Sequence, residues 1–239
     1  MTGSSNEGVQ GAVSALLSSE ITYQLRPAQN RRAAGLQVVA LDPESTPEPA
    51  RIVFYSWWQS DLRMALPPLP GLTAGISADY RLIAELARLD VGEVLNRVKS
   101  GHRPYVAHFN GTPVAYGWSA SEVASIGEIG LTFGIPRGNR YLWDFATLPP
   151  WRGRGIYPRL LQTILQLESV EAERFWIGHL PANLPSARGI AAAGFRYVGT
   201  IGPGPGGQPG FAPAEGEAHA QAAAVLLHTP VQEVERRAA

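Results

Sequence analysis

The sequence predicts an α/β fold in which a central mixed β-sheet is flanked by helices. Strand-like apolar runs alternate along the chain with segments whose apolar residues recur at helical spacing, and this alternation favours an α/β layout. With 239 residues, of which 45% are hydrophobic, the chain is long enough to bury a substantial core. The stretch FATLPPWRGRGIYPRLLQTIL, residues 145–165, passes directly from a strand pattern into a helix pattern.

The first 70 residues predict an N-terminal appendage that is rich in β-strand. Two apolar runs of β type, residues 36–41 and 51–55, are joined by the turn-forming linker DPESTPEPA. The motif LPPLPG at residues 66–71 is the clearest interruption in this half of the chain. We therefore expect the appendage to span residues 1–70, the main domain residues 71–230 and a tail residues 231–239.

The main domain is expected to begin with a strand and two helices. Residues 72–76 form the strand, Ser77 is the expected N-cap of the first helix, and the second helix ends at Gly101. Asn110-Gly111 predicts a hairpin between two further strands, because both turn positions tolerate positive φ. The remaining elements expected, in chain order, are strands at 128–135 and 141–148, a helix at 155–168, a strand at 175–180, a helix at 184–193, a strand at 195–201, a loop at 202–216 and a final strand at 223–228.

Composition and charge exclude several classes of function. Twenty basic residues balance twenty acidic ones, so no net field draws the chain to nucleic acid or to an anionic membrane. The absence of cysteine excludes disulfides, thiolate zinc sites and a cysteine nucleophile, and the five histidines are too dispersed for a metal site. Because we find no secretion signal and no apolar run of roughly 20 residues, we expect a cytoplasmic protein.

The loop Arg152-Gly153-Arg154-Gly155 predicts a local anion site. Pro149 and Pro150 end the preceding strand, and the glycines leave main-chain N–H groups accessible where a helix begins. The N-terminus of a helix carries a partial positive charge, so this junction favours a phosphate. The alternative is an ordinary glycine-containing turn with solvated arginines.

Two segments resemble the signatures of the GCN5-related N-acetyltransferase (GNAT) superfamily. Arg152-Gly153-Arg154-Gly155-Ile156 is similar to its acyl-CoA motif Q/R-x-x-G-x-G/A. Asn183-Leu184-Pro185-Ser186, followed by Gly194-Phe195, is similar to its N-x-x-(A/S)…G-F segment. The resemblance covers roughly residues 72–228. It implies a GNAT fold whose sheet splays apart between the strands at 141–148 and 175–180.

The resemblance also implies acetyl-CoA as the cofactor. The loop amides would bind the pyrophosphate of coenzyme A, and a β-bulge near Pro149 would expose a strand edge to the pantetheine arm. The residues implied in cofactor binding are Phe145, Ala146, Thr147, Arg152, Gly153, Arg154, Gly155, Ile156, Tyr157, Pro158, Asn183 and Ser186.

The sequence departs from the family pattern at three positions. Tyr157 stands where glycine or alanine is usual, so its side chain must point away from the phosphates. Ile190 occupies the position of the tyrosine acid of many relatives, and Gly178 that of the glutamate base of some. The usual acid and base are therefore both absent by position.

Other side chains are candidates for these two roles. Tyr157 and Ser186 are hydroxyls that could protonate a leaving thiolate, although either could simply pack or cap a helix. Asp144 is the first candidate for the base, unless it pairs with an arginine such as Arg140, and alternation places it on the opposite face from Phe145. His179 is the second, with a structural role as its alternative. His108 and Glu128 are weaker candidates.

The sequence therefore predicts an N-acyltransferase that moves an acetyl group from acetyl-CoA to a primary amine of a small molecule. The amine would attack directly in a ternary complex, so orientation would be the main contribution of the enzyme. Two alternatives stay open, a catalytically silent acyl-CoA-binding or regulatory module and a different nucleotide-phosphate binder. The appendage could complete the acceptor pocket, support a homodimer, or only pack on the sheet.

Overall fold

The computed structural model describes residues 50–62, 65–215 and 218–227, and all of them belong to one compact unit, Pro47–Ala239. The strands are β1 (Ile52–Trp58), β2 (Leu72–Ile76), β3 (His102–Phe109), β4 (Thr112–Ala120), β5 (Val123–Ile126), β6 (Leu131–Gly134), β7 (Asn139–Thr147), β8 (Arg174–His179), β9 (Arg196–Pro203) and β10 (Pro209–Pro213). The α-helices are α1 (Tyr80–Ala87), α2 (Val91–Lys99), α3 (Ile156–Glu168), α4 (Leu184–Ala192) and α5 (Ala218–Leu227).

Eight strands form one sheet in the order β10-β9-β1-β8-β7-β4-β3-β2, and β5 and β6 form a separate hairpin. All neighbours in the large sheet are antiparallel except β7 and β8, which are parallel. Their pairing begins at Asn139 with Arg174 and ends at Leu142 with Ile177. Since β7 continues to Thr147 and β8 to His179, the two strands part at their C-terminal ends.

Helices cover both faces of the sheet. Leu160, Leu161 and Ile164 of α3 are fully buried in a core that also contains Leu142 of β7 and residues of α4. The neighbours of Leu142 in β7 point to the opposite face, as alternation requires, and contribute there to the cores beneath α1, α2, α5 and the hairpin β5–β6. The mixed sheet flanked by helices that the sequence predicts is therefore confirmed.

A buried charge cluster anchors the C-terminal end of α3. Glu168, only 1% exposed, accepts a hydrogen bond of 2.7 Å from the Tyr105 hydroxyl and pairs with Arg140. Arg140 and Arg103 both contact Glu171, at 2.9 Å and 2.6 Å, and these contacts lower the pKa of the Glu171 carboxyl. Burial, and then the Glu168 charge, raises the pKa of Tyr105. Arg140 is thus committed to this cluster and does not pair with Asp144.

Several expected elements match the structure closely. Asn110 and Gly111 both have positive φ, 47° and 81°, and join β3 to β4 as the hairpin signal predicts.

The expected N-cap of the first helix was wrong by two residues. The cap is Asp79, which accepts a hydrogen bond of 3.0 Å from the Leu82 N–H, rather than Ser77. Among the described residues, no helix has the length and apolar character needed to cross a membrane.

Three expectations about local structure were wrong. The final strand expected at 223–228 is the helix α5, because the alanine-rich sequence AHAQAAAVLL favours a helix. The loop expected at 202–216 contains β10, which pairs with β9. The strand expected at 128–135 is a 3₁₀ turn at Gly127–Ile129 followed by β6.

The expected boundary between appendage and main domain also needs correction. Strand β1 lies between β8 and β9 in the middle of the sheet, so the segment assigned to the appendage is part of the main domain. The motif LPPLPG is therefore a connection within the domain. The strand expected at 36–41 and the tail at 231–239 lie outside the described residues.

Candidate active site

The arginine–glycine loop has a backbone that requires its glycines. A 3₁₀ turn at Pro149–Trp151 follows β7, and α3 begins directly after Gly155. Gly153 and Gly155 have φ of 76° and 69°, in the left-handed region that favours glycine. The space around Gly153 is open, since a Cβ built there would have no neighbour within 4 Å. The predicted close approach to this loop is therefore sterically possible.

Main-chain N–H groups in this loop are available to a ligand. Within the part of the chain that the structure describes, the N–H groups of Gly153, Arg154 and Gly155 have no hydrogen-bond acceptor. No side chain of the described residues caps the N-terminus of α3. Three unpartnered donors beside a helix N-terminus form an arrangement that suits an anion.

The arginines of the loop are held by neutral partners that leave those donors open. The Arg152 Nε atom donates to the Thr147 carbonyl at 3.0 Å, and the Arg154 guanidinium lies 4.7 Å from the centre of the Trp151 ring. Arg159 Nη1 donates to the Gly155 carbonyl at 2.8 Å. Because these partners carry no negative charge, the positive charge of the loop stays available to a phosphate.

A bulge in β7 lies where the strands have parted. Pairing with β4 shifts register between Trp118, opposite Trp143, and Tyr116, opposite Ala146. Asp144, within this bulge, adopts a φ of 51°, which is uncommon for a residue other than glycine. The bulge that the family resemblance implies before Pro149 is thus present, at residues 144–145. Beyond Leu142 no described strand pairs with the edge of β7 that faces β8.

Asp144 faces α2, on the opposite face from Phe145 as expected, and shares that face with Trp143 because the bulge interrupts the alternation. Its carboxylate accepts a hydrogen bond of 2.6 Å from Arg97, which also contacts Glu93 at 3.0 Å. The Arg97 guanidinium lies 5.2 Å and 4.5 Å from the ring centres of Trp118 and Trp143. The expected pairing with an arginine is thus observed, with Arg97 as the partner instead of Arg140.

The buried Tyr116 side chain lies close to the same Asp144 carboxylate. Burial, and then the Asp144 charge, raises the pKa of Tyr116, so this hydroxyl keeps its proton at neutral pH. Asp144 thus accepts a hydrogen bond from Arg97 beside the Tyr116 side chain, while 31% of its own side chain remains exposed.

His179 lies at the end of β8 and is nearly buried. Its Nδ1 atom is 2.8 Å from the Leu180 carbonyl oxygen, which can only accept, so Nδ1 donates a proton there. Its Nε2 atom is 3.4 Å from the Tyr55 hydroxyl, and the two rings stack at 5.5 Å. Burial, and then the neighbouring Tyr197, raises the pKa of Tyr55. Both nitrogens of His179 thus have partners within the protein.

Tyr157 and Ser186 meet between α3 and α4. Their hydroxyl oxygens are 3.4 Å apart, and the Tyr157 ring packs 5.4 Å from the Phe145 ring. Burial raises the pKa of Tyr157, whereas the contact with Ser186 lowers it by a smaller amount. Asn183 caps α4 by accepting a hydrogen bond of 3.2 Å from the Ser186 N–H. The capping role expected of Asn183 as the simpler alternative is therefore present.

A comparison with known families identifies the chain. Residues 73–195 match the model of the acetyltransferase (GNAT) family. The chain belongs to this family. The resemblance noted in the sequence is thereby confirmed, and acetyl-CoA is the cofactor of the GNAT family.

Solved structures from the GNAT family resemble the chain at low identity. A GCN5-related N-acetyltransferase from Kribbella flavida is 15% identical, with a TM-score of 0.44, and the match covers 62% of this chain and 55% of that one. The corresponding protein from Sphaerobacter thermophilus is 16% identical, with a TM-score of 0.48 and coverage of 65% and 51%. The aminoglycoside acetyltransferase AAC(6')-Ib, solved with ribostamycin and coenzyme A, is 18% identical, with a TM-score of 0.44 and coverage of 58% and 89%. This chain thus spans about half the length of the first two proteins, and no curated protein sequence matches it.

The two positions where many GNAT relatives carry the acid and the base are tightly packed in this structure. Ile190 is fully buried in the core beneath α4. Gly178 lies against β1, where a Cβ would come within 2.6 Å of Ile52. A carboxylate at position 178 would therefore collide with Ile52 of β1, a strand that the sequence predicts as part of the appendage.

The two weaker candidates for the general base, His108 and Glu128, lie outside the GNAT cleft between β7 and β8. His108 is a residue of β3, and Glu128 lies in the exposed 3₁₀ turn before β6. A surface cavity of about 820 Å³ is lined by Arg137, Gly138 and Glu171, among others, at the N-terminal end of β7. That cavity is at the opposite end of the strand from the bulge.

The residues present fit coenzyme A. The unpartnered loop amides, the helix N-terminus and the arginines suit a diphosphate, and the open edge of β7 suits the amides of a pantetheine arm.

The sequence alone does not single out Arg97 and Tyr116, which converge on Asp144 from α2 and β4. Gly117 of β4 could have indicated the bulge in β7, because it lies opposite that bulge and a glycine inside a strand often marks a bulge or a close approach.

Proposed function

We propose that the protein transfers an acetyl group from acetyl-CoA to a primary amine of a small molecule, by direct attack in a ternary complex. The observation that carries this proposal is the set of unpartnered amides at Gly153, Arg154 and Gly155, at the open end of a cleft between parted strands. Membership of the GNAT family supports the same reaction class. The neutral overall charge favours a small acceptor over nucleic acid.

In this proposal the protein acts mainly by binding and orientation. Bound acetyl-CoA supplies a thioester carbonyl that an amine can attack. The loop amides hold the diphosphate, and the free edge of residues 143–147 aligns the arm along β7. Fixing both reactants in one geometry lowers the entropic part of the barrier, which is the largest contribution that a cleft of this kind can make.

Asp144 is proposed to attract the amine on the α2 side of the sheet. Together with Glu93 and Arg97 it forms a group with one net negative charge, and part of its carboxylate is exposed. The Asp144 carboxylate accepts a hydrogen bond from Arg97 through Oδ2, and its exposed part is available to a second cationic group such as an ammonium.

Tyr157 is proposed to protonate the leaving sulfur, with Ser186 as its hydrogen-bond partner. Burial keeps the Tyr157 hydroxyl protonated at neutral pH, so it has a proton to donate. This residue lies on α3, whereas the tyrosine acid of many relatives would correspond to Ile190 on α4. His179 receives less support, because both of its ring nitrogens already have partners.

The proposal is tested by titrating coenzyme A calorimetrically and by measuring thiol release from acetyl-CoA over a panel of small amines. We expect micromolar binding and turnover with at least one amine. Binding without turnover on any amine would favour the catalytically silent acyl-CoA-binding module. A preference for ATP or NAD over coenzyme A would instead favour the other nucleotide-phosphate binder.

Asp144→Asn tests the acceptor side separately. Asparagine tolerates the left-handed φ of this position, so the bulge is retained. We expect kcat/KM for the amine to fall at least about tenfold, because an interaction between charged groups is lost, while the Kd of coenzyme A changes little. Glu93→Gln removes the same unit of charge from a more exposed position, so a smaller fall than in Asp144→Asn is expected if Asp144 itself contacts the amine. An unchanged kcat/KM would remove Asp144 from the site.

A further inference from the structure

Two aromatic rings lie together on the helix side of the cleft. Phe145 comes from the bulge of β7 and Tyr157 from the first turn of α3. Their ring centres are 5.4 Å apart with planes tilted by 55°, an arrangement common for interacting aromatic pairs. Both rings are partly buried against the core beneath α3.

Each ring is seated directly on a glycine. A Cβ at Gly117 of β4 would come within 2.1 Å of the Phe145 ring. A Cβ at Gly189 of α4 would come within 2.3 Å of Tyr157 Cδ1. The two rings therefore reach their positions only because the main chain beneath each of them carries no side chain. Their seats are defined by the backbone and leave little freedom to withdraw.

Tyr157 also connects the two halves of the domain that the cleft separates. It begins on α3, which follows β7, and its hydroxyl lies 3.4 Å from Ser186 on α4, which follows β8. The only other described hydrogen bond between these helices lies further along α3, from Gln162 Nε2 to the Ala193 carbonyl at the end of α4, at 3.3 Å. The aromatic pair thus spans the gap on the helix side, next to the bulge.

We propose that Phe145 and Tyr157 limit the length of the acyl group, so that the enzyme selects acetyl over longer acyl chains. This inference rests on the proposed function, which places the thioester beside the bulge at Asp144. A longer chain on the helix side would need the volume that the two rings fill. Tyr157 is thereby a specificity-determining residue at a position where the family usually has glycine or alanine.

The expected effect follows from the burial of methylene groups. Each buried methylene is worth about a fourfold change in affinity. Hexanoyl-CoA has four more methylenes than acetyl-CoA, so burying only two of them in the space vacated by the Tyr157 ring changes the affinity by at least about tenfold.

The experiment measures the Kd of coenzyme A, acetyl-CoA and hexanoyl-CoA by calorimetry on the full chain. We expect the wild type to bind acetyl-CoA at least about tenfold more tightly than hexanoyl-CoA. Tyr157→Ala is expected to abolish or reverse this preference, measured as the ratio of the two acyl-CoA Kd values. Tyr157→Phe keeps the ring and is expected to keep the preference, and Tyr197→Ala removes a tyrosine ring outside the cleft as a matched control.

Phe145→Ala is the second variant, for use if Tyr157→Ala unfolds at a lower temperature than the assay. It is expected to relax the preference in the same direction. Equal binding of the two acyl-CoAs by the wild type, or an unchanged ratio in both alanine variants, would overturn this inference and leave the proposed function standing. Failure of every variant and of the wild type to bind coenzyme A would overturn both.

Discussion

Gly153→Asp is expected to weaken coenzyme A binding without unfolding the protein. The φ of Gly153 is 76°, a conformation that aspartate and asparagine adopt more readily than other residues with side chains. A Cβ at this position has no neighbour within 4 Å, so the new side chain meets open space. The substitution therefore places a negative charge beside the loop amides at a small cost in backbone strain.

The magnitude follows from the position of the loop at the surface. Two unit charges about 4 Å apart repel by about 1 kcal/mol in bulk water and about 4 kcal/mol at an effective dielectric constant of 20. A diphosphate carries about two charges, and the loop is exposed, so we expect a loss of about 2 to 4 kcal/mol. This corresponds to an increase in Kd of roughly 30-fold to 1000-fold.

Calorimetric titration at two salt concentrations measures this effect. Gly153→Asn has the same shape and backbone tolerance without the charge, and it is expected to bind within a few-fold of the wild type. Gly130→Asp is a second control, because Gly130 also has a positive φ, 62°, and open space around it, but follows the exposed 3₁₀ turn before β6. Added salt should reduce the difference between the Asp and Asn variants, since exposed charges are screened. Equal Kd values for these two variants would refute the assignment of the phosphates to this loop.

Three further predictions concern stability and are checked by urea unfolding. Glu168→Gln leaves the buried Arg140 without its closest carboxylate and is expected to cost about 3 kcal/mol, whereas Glu171→Gln, at an exposed position, is expected to cost less than about 1 kcal/mol. Leu161→Ala empties a fully buried site and is expected to cost about 2 to 5 kcal/mol; a smaller loss would mean that the core beneath α3 collapses into the space. Burial lowers the pKa of His102, so below about pH 6.5 the unfolded state binds a proton at this residue more readily than the folded state does. The free energy of unfolding should therefore fall as the pH decreases below about 6.5. His102→Gln should make that decline shallower, and an identical pH dependence would show that His102 does not contribute.

The loop and its flanking elements could be predicted from the sequence because their signals are local. Glycines, prolines and a helical repeat all fall within residues 145–165, and each acts through its own backbone preference. The parting of β7 and β8 was implied only by the family resemblance. The residues of the two strands do not indicate where the pairing between β7 and β8 ends.

Elements near the C-terminus were harder to predict because short apolar runs are ambiguous. The residues 223–228 fit a buried strand as well as a helix, and the helix becomes clear only when the alanines from Ala218 are included. Strand β10 has the sequence PGFAP, in which the prolines and glycine conceal a strand. Among the described strands it pairs with β9 alone, at the edge of the sheet, where proline is tolerated.

The environment of Asp144 could not be predicted because it is assembled from distant segments. Arg97 comes from α2 and Tyr116 from β4, and neither position is unusual for a solvated arginine or a buried tyrosine. The need for glycine at positions 117 and 189 could not be predicted for the same reason. At each position an aromatic ring from another element occupies the space that a Cβ would take. Such convergence is a property of the folded chain, so only a structure reveals it.

The central location of β1 has a consequence for how the chain acquires its structure during synthesis. Both partners of β1, which are β8 and β9, leave the ribosome only after most of the domain has been made. Contacts between segments so far apart in sequence slow folding, since a long loop must close before they form. Until then Ile52, Phe54 and Trp57 have no strands to cover them, and the nascent domain exposes an apolar segment that chaperones would recognise.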